Sequence, residues 1–262
     1  MMSVLAYREV SQLLDERPVY GLEARLDGEP SGSLPELATE FVEAVIATDP
    51  DGPHFLFGFS AGAFVAFEMA RQLSERGRPP ALLVLFDAHL PVRHSFSQKI
   101  AVATQRASCH ASRMAEIPVR QWGPYLKGVL AMVEKTIRQR IAPGRAPSWR
   151  SEIGQHSGEQ TAFDMRDAHN RALVARYRSG VLPKLDARVA IVLARNTSWS
   201  SVNPSLDPRL AWRKHLRTDA EVIYVPGSHL SMLESPNVEE LGAALRALVT
   251  RTEQAMGSRA DA

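Results

Sequence analysis

The chain has 262 residues, 45% apolar and 23% charged, with a formal net charge of +2. This suits one large α/β domain, or one domain with an inserted subdomain, and excludes a disordered chain. A single cysteine, Cys109, excludes an internal disulfide or a metal site built from several thiolates.

No run of 18 apolar residues is present, so no membrane-spanning helix is expected. The first residues lack the basic start and long apolar core of a secretory signal, and a cytoplasmic location is the expectation. Charge is unevenly spread. Residues 88–150 hold eleven Lys/Arg against Glu116 and Glu134, a segment of net +9 that leaves −7 on the rest. A basic middle third on an acidic body suggests a surface aimed at an anionic partner.

In chain order, Pro18–Leu22 reads as a short buried strand and Leu34–Ala47 as an amphipathic helix. His54–Gly58 is a second strand. A helix follows from Ala61, with Phe64, Phe67, Ala70 and Leu73 as its apolar stripe, ending near Gly77 with Pro79 and Pro80 as a stop. Ala81–Phe86 is a continuous apolar run, the pattern of a strand covered on both faces, and it ends in Asp87. Residues 95–182 are helix-like, with breaks at Pro118, Pro124 and Pro143–Pro147. Val189–Ala194 resumes the sheet, Pro208–Leu216 reads as a helix, Glu221–Val225 as the last strand and Val238–Val249 as the last helix. Arg251–Ala262 reads as a frayed tail. Alternating strands and helices imply a mainly parallel sheet with helices on both faces. The expected organisation is a core of residues 1–94 and 183–252, a helical lid insertion over 95–182 and a flexible tail over 253–262.

Between the second strand and its helix stands Gly58-Phe59-Ser60-Ala61-Gly62. Strand, Gly-x-Ser-x-Gly, helix is the setting of a nucleophile elbow, in which Ser60 is held in a strained conformation with its Oγ exposed. Gly58 and Gly62 are expected because side chains there would collide as strand and helix close. The Ala61 amide, at the helix start, would face a developing oxyanion. A base is needed within reach, and His229 follows the last strand in Pro226-Gly-Ser-His229. The acid has two candidates. Asp87 ends the strand after the nucleophile helix; Asp207 lies in the loop after Val189–Ala194, which offers Asn196 at the strand's end and no earlier carboxylate. Asp87 is favoured because strand ends hold side chains more tightly than loops.

These pieces together resemble the thioesterase domains of modular polyketide synthases and nonribosomal peptide synthetases, members of the α/β-hydrolase superfamily. Pro18–Arg25, Asp51–Gly62, Ala66–Leu73, Leu83–Ala88 and Gly227–Leu233 carry the likeness, which runs from about Ser3 to Val249 and is weakest in the lid. The resemblance implies Ser60 as nucleophile, His229 as base and Asp87 as the orienting acid. It further implies release of an acyl or peptidyl chain from a carrier protein, by hydrolysis or macrocyclisation. The phosphopantetheine arm would belong to that partner, so no cofactor and no metal of the chain's own is expected, and neither nucleic acid nor membrane as partner. The family's opening strand and Gly-rich loop, which supply a second oxyanion amide, do not appear before Ser3, and a late start or a fragment is the expectation. Two other readings stay open: a carrier-independent carboxylesterase, and an inactive acyl- or carrier-binding protein. Lys99, Arg106, Arg113, Arg120 and Lys127 recur every seven residues as a candidate docking stripe, though Pro118 and Pro124 interrupt any single helix. Cys109 reads as a packing residue.

Overall fold

The computed structural model describes residues 7–14, 17–23, 32–90, 92, 95–116, 118–123, 126–127, 130, 172–177, 180, 182–197, 199 and 202–260. The chain divides into two compact units, Met1–Arg93 with Ala162–Ala262, and His94–Thr161.

The first unit is built on four parallel strands, β1 (Phe55–Phe59), β2 (Leu82–Phe86), β3 (Val189–Ala194) and β4 (Glu221–Val225), adjacent in that order. β2 and β3 are buried along their whole length. Their unbroken apolar sequence is what two covered faces require. Side chains alternate between faces, so Leu83, Leu85, Ile191 and Leu193 join one core cluster while Val84, Phe86 and Val192 join the other.

Helices α2 (Leu34–Thr48) and α3 (Gly62–Glu75) cover the first face through Leu37, Phe41, Phe67 and Leu73. α2 starts in a capping box: the Ser33 side chain accepts from the Glu36 amide, and the Glu36 carboxylate accepts from the Ser33 amide. α3 ends where Gly77, at φ +73°, lets the amide of Arg78 reach the Leu73 carbonyl at 2.9 Å. The second face is covered by α1 (Arg8–Gln12) and α5 (Asn237–Ala260), through Val10, Leu241, Leu245 and Leu248.

Three expectations are corrected here. Pro18–Leu22 forms no ladder among the described residues. Val19 and Tyr20 are exposed, and only Leu22 packs on the core. Apolar β-formers make a strand only where an edge is presented to them, and propensity alone does not supply one. The tail does not fray at Arg251, because α5 runs on to Ala260. Thr252 is buried and bonds the Leu248 carbonyl, while Arg17 forks onto Glu253 and Arg251 pairs with Glu221. Residues 208–216 hold a short 3₁₀ turn, Ala211–His215, in place of an α-helix.

In the second unit, α4 (Phe96–Glu116) is followed by a 3₁₀ turn, Val119–Gln121. The helix ends ahead of Pro118, and the Trp122 indole donates to the Met114 carbonyl at 2.8 Å. Lys99, Arg120 and Lys127 are exposed; the side chains of Arg106, Cys109 and Arg113, and Pro124 and Pro143–Pro147, lie outside the described residues. The helical segment 172–177 belongs to the first unit, where the Tyr177 hydroxyl donates to Glu68 at 2.6 Å. The second unit is thus shorter at its carboxyl end than the expected 95–182.

Candidate active site

β1 runs directly into Ser60, which takes φ +54°, in the left-handed region. For a residue with a Cβ this conformation costs roughly 1–2 kcal/mol. Two contacts hold it: the Ser60 amide donates to the Phe86 carbonyl at 3.0 Å, and its carbonyl accepts from Ala63 at 3.3 Å. Gly58 makes the turn possible. A Cβ there would lie 2.6 Å from the Gly62 carbonyl oxygen, 2.7 Å from Ala63 Cα and 2.8 Å from Ala66 Cβ. Gly62 differs from expectation, since a Cβ at that position would meet only the Tyr7 hydroxyl, at 3.5 Å. Among the described residues the Ala61 amide, at the head of α3, donates to no protein acceptor.

Phe59 and Phe86 are register partners, so Ser60 and Asp87 leave β1 and β2 at the same rung. Asp87 also sits in the left-handed region, at φ +43°, and is fully buried. Its Oδ2 meets His229 Nδ1 at 2.7 Å, and its Oδ1 accepts from Arg209 Nη1 at 2.9 Å and from the Ala194 amide at 3.2 Å. Burial pushes the Asp87 carboxyl up. The His229 hydrogen bond and the charge and hydrogen bond of Arg209 outweigh that, and hold it below the usual carboxylate range.

His229 is delivered by the loop after β4. Gly227, at φ +88°, turns the chain where a Cβ would come within 2.9 Å of Met232 N and Asn237 Nδ2. Ser231 then clasps the turn, accepting from the Ser228 amide at 2.8 Å. The imidazole stacks on the Phe59 ring at 4.6 Å between centroids, and its Nε2 lies 3.1 Å from Ser60 Oγ. Facing an ionised carboxylate, Nδ1 carries the proton and donates to Asp87. Nε2 is then left to accept from the serine hydroxyl.

Hydroxyl, imidazole and carboxylate, at positions 60, 229 and 87, are therefore joined in one relay. Asp207, the other candidate acid, is turned away from it and grips Arg209. It accepts from Nε at 3.1 Å on each oxygen and from Nη2 at 2.8 Å. Sequence reasoning missed three neighbours. Arg209 is fully buried, with Nη1 also on the Ala194 carbonyl at 3.0 Å. An arginine in a polar loop carries no mark of burial; the one available signal was Asp207 two residues before it. His89 lies two residues past Asp87, its ring 6.2 Å from both His229 and Trp199. Burial lowers its basicity, ahead of the opposing pull of Asp87. Tyr7 supplies its hydroxyl to the Phe59 amide at 3.2 Å on the edge of β1 that has no strand partner among the described residues. Burial raises the Tyr7 phenol, more than that amide lowers it.

Among the described residues no group of three or more His, Cys, Asp or Glu is arranged to hold a metal ion. No described helix is long and apolar enough to cross a membrane.

The profile of the thioesterase domain family matches residues 2–248. The nonribosomal peptide synthetase pngA of Aspergillus terreus (strain NIH 2624 / FGSC A1156) is 27% identical over 252 residues, covering 90% of this chain and 25% of the relative. The non-reducing polyketide synthase PKS16 of Cladonia grayi is 26% identical over 258 residues, covering 90% of this chain and 11% of the relative. The chain thus spans a quarter or less of these curated relatives. Among solved structures, the NocB thioesterase domain from the nocardicin cluster superposes with a TM-score of 0.57 at 22% identity. The match covers 94% of this chain and 88% of that one, and establishes a shared fold. With nearly its whole length inside the family profile, the chain belongs to the thioesterase domain family: a serine thioesterase of α/β-hydrolase fold, of the type found in nonribosomal peptide and polyketide synthases.

Proposed function

We propose that this domain releases an acyl, polyketide or peptidyl chain from a phosphopantetheinyl carrier protein through an acyl-enzyme at Ser60. His229 Nε2 takes the hydroxyl proton as Ser60 Oγ attacks the thioester carbonyl. The oxyanion is held by the Ala61 amide. The C–S bond then breaks, the departing thiolate takes the proton from His229, and the acyl group stays on Ser60. Water, or a nucleophile of the acyl chain itself, gives its proton to His229 and attacks the ester; the acyl C–Oγ bond breaks and Ser60 Oγ recovers the proton from His229, giving a free acid or a macrocycle. Asp87 keeps the imidazole in the required tautomer and stabilises the imidazolium. The observation that carries this reading is the relay of 3.1 Å and 2.7 Å contacts from Ser60 through His229 to Asp87. The phosphopantetheine arrives with the partner, and the chain contributes no cofactor. A single cysteine supports a reaction in the cytoplasm, where thiols stay reduced.

A fluorophosphonate probe tests the assignment. Labelling is expected for the parent protein and lost in Ser60→Ala and His229→Ala; labelling that survives in Ser60→Ala refutes it. Comparing turnover of a pantetheine thioester with that of the matching oxyester separates carrier-dependent release from a carboxylesterase. A second reading, a non-catalytic binder of acyl chains, draws on the edge of β1 that has no strand partner among the described residues, since Ala61 is the one oxyanion amide assigned. Losing a second such donor costs about 3–4 kcal/mol. An unlabelled parent protein that binds acyl-carrier protein would favour it.

A further inference from the structure

We propose that Arg209 and Asp207 form a buried charge pair that fixes the orientation of Asp87 and sets the pH at which the His229 relay becomes competent. Arg209 is then a positioning residue for the Ser60 reaction. The inference rests on the nucleophile, base and acid assignments made above.

The geometry is unusually complete for one side chain. The guanidinium has no exposed surface, yet every nitrogen is engaged: Nε and Nη2 on Asp207, Nη1 on Asp87 Oδ1 and on the Ala194 carbonyl. Burying such a cation carries a desolvation penalty, and apolar side chains of similar volume often serve stability as well or better. Its placement has a specific effect on Asp87. Arg209 and the Ala194 amide occupy Oδ1, which leaves Oδ2 as the oxygen presented to His229 Nδ1.

The charges are arranged to match. A lone guanidinium on Asp87 would cancel the negative charge that stabilises an imidazolium. The Asp207 carboxylate, held at both its oxygens by the same guanidinium, offsets that cation and leaves Asp87 effectively anionic towards His229. Arg209 therefore fixes the acid mechanically while Asp207 removes the electrostatic cost of doing so.

Other groups around the imidazole are few among the described residues. His89 stands on the same exit loop as Asp87, with its basicity lowered first by burial. Ser60 lies on the β1 side, and the Tyr7 hydroxyl from beside α1 is occupied by the Phe59 amide. On the histidine's own loop, Glu234 is exposed to solvent.

The experiment measures the second-order rate of fluorophosphonate labelling against pH, with active-site titration counting only folded enzyme and Ser60→Ala as control. In Asp207→Asn the guanidinium is no longer compensated. The acid limb of the profile is expected to move down by roughly 0.5–1 pH unit. In Asp207→Asn/Arg209→Gln the net charge around Asp87 returns to that of the parent. The limb should return to within about 0.2 unit, while the plateau rate falls about tenfold because Oδ1 is less firmly held. Arg209→Lys keeps the charge and loses the fork, so it decides the matter if Asp207→Asn titrates as unfolded. It should lower the plateau with the limb unmoved. A folded Asp207→Asn with the parental acid limb, a double variant displaced as far as the single, or an undiminished plateau in Arg209→Lys overturns the proposal. Labelling retained in Ser60→Ala would instead remove the assignments beneath it.

Discussion

Replacing Gly58 by alanine tests whether the turn at Ser60 is set by direct contact between β1 and α3. The added Cβ would lie 2.6 Å from the Gly62 carbonyl oxygen, 2.7 Å from Ala63 Cα and 2.8 Å from Ala66 Cβ. None of these atoms is the end of a flexible side chain, so relief requires the first turn of α3 to move away from the strand. Overpacking a filled site costs about 1–3 kcal/mol, and three simultaneous clashes place Gly58→Ala at the upper end. For a domain of this size each kcal/mol lowers the thermal midpoint by about 2–4 °C, so a fall of about 6–12 °C is expected. The displaced helix also carries the Ala61 amide, and the fluorophosphonate labelling rate should fall with it. Gly62→Ala is the matched control. Its Cβ would make only an ordinary contact with the Tyr7 hydroxyl at 3.5 Å, and alanine favours the helix by up to about 1 kcal/mol. Thermal unfolding followed by circular dichroism, with labelling on the same samples, decides it. A Gly58→Ala midpoint within about 2 °C of the parent, or Gly62→Ala as damaging as Gly58→Ala, would refute the packing argument.

Tyr7→Phe removes the acceptor from the Phe59 amide and should cost about 0.5–1.5 kcal/mol, measured by urea unfolding; an unchanged midpoint would show that the bond contributes nothing. Glu68 is pushed up by burial, but hydrogen bonds from Arg71, Tyr177 and Gln72, with the charge of Arg71, outweigh this and bring its carboxyl below the ordinary value of 4.5. A carboxylate lowered by folding contributes stability above its unfolded value, and that contribution is lost as pH falls through the folded one. Glu68→Gln should therefore be less stable than the parent near neutral pH, with the gap closing below pH 4.5; a gap independent of pH would contradict this. Reversing Lys99, Arg120 and Lys127 to glutamate should weaken binding to an acidic carrier protein about tenfold at low salt and flatten its salt dependence. Hydrolysis of a small thioester should be unchanged, and unaltered carrier binding would dismiss the docking stripe.

The legible parts of this molecule are those fixed by local pattern. Ala81–Phe86 and Val189–Ala194 are apolar without interruption, and both are buried central strands. Ser60 announced itself through its glycines, and Asp87 and His229 through their places at strand ends. What escaped depends on partners distant in sequence. Arg209 meets Asp87 across 122 positions, and no composition window distinguishes it from a surface arginine. Pro18–Leu22 has strand chemistry but finds no ladder among the described residues. The last turns of α5 look polar and expendable until Arg17 is seen to reach Glu253. Gly62 shares a motif with Gly58 yet lacks its neighbours, so a shared pattern concealed two different physical requirements.

Phe59 and Phe86 stand opposite one another in the ladder, and the residues that follow them both leave it with a left-handed step. The spacing of the serine from the aspartate is thus ruled by the sheet's own hydrogen-bond lattice and owes nothing to the length of any connecting segment. Between Asp87 and β3, Ala88, Leu90, Leu173, Val174, Leu182 and Leu185 pack into the core, but the rung that sets Ser60 against Asp87 belongs to β1 and β2 alone. The proposed nucleophile and its acid are thereby kept in step by the two strands that carry them.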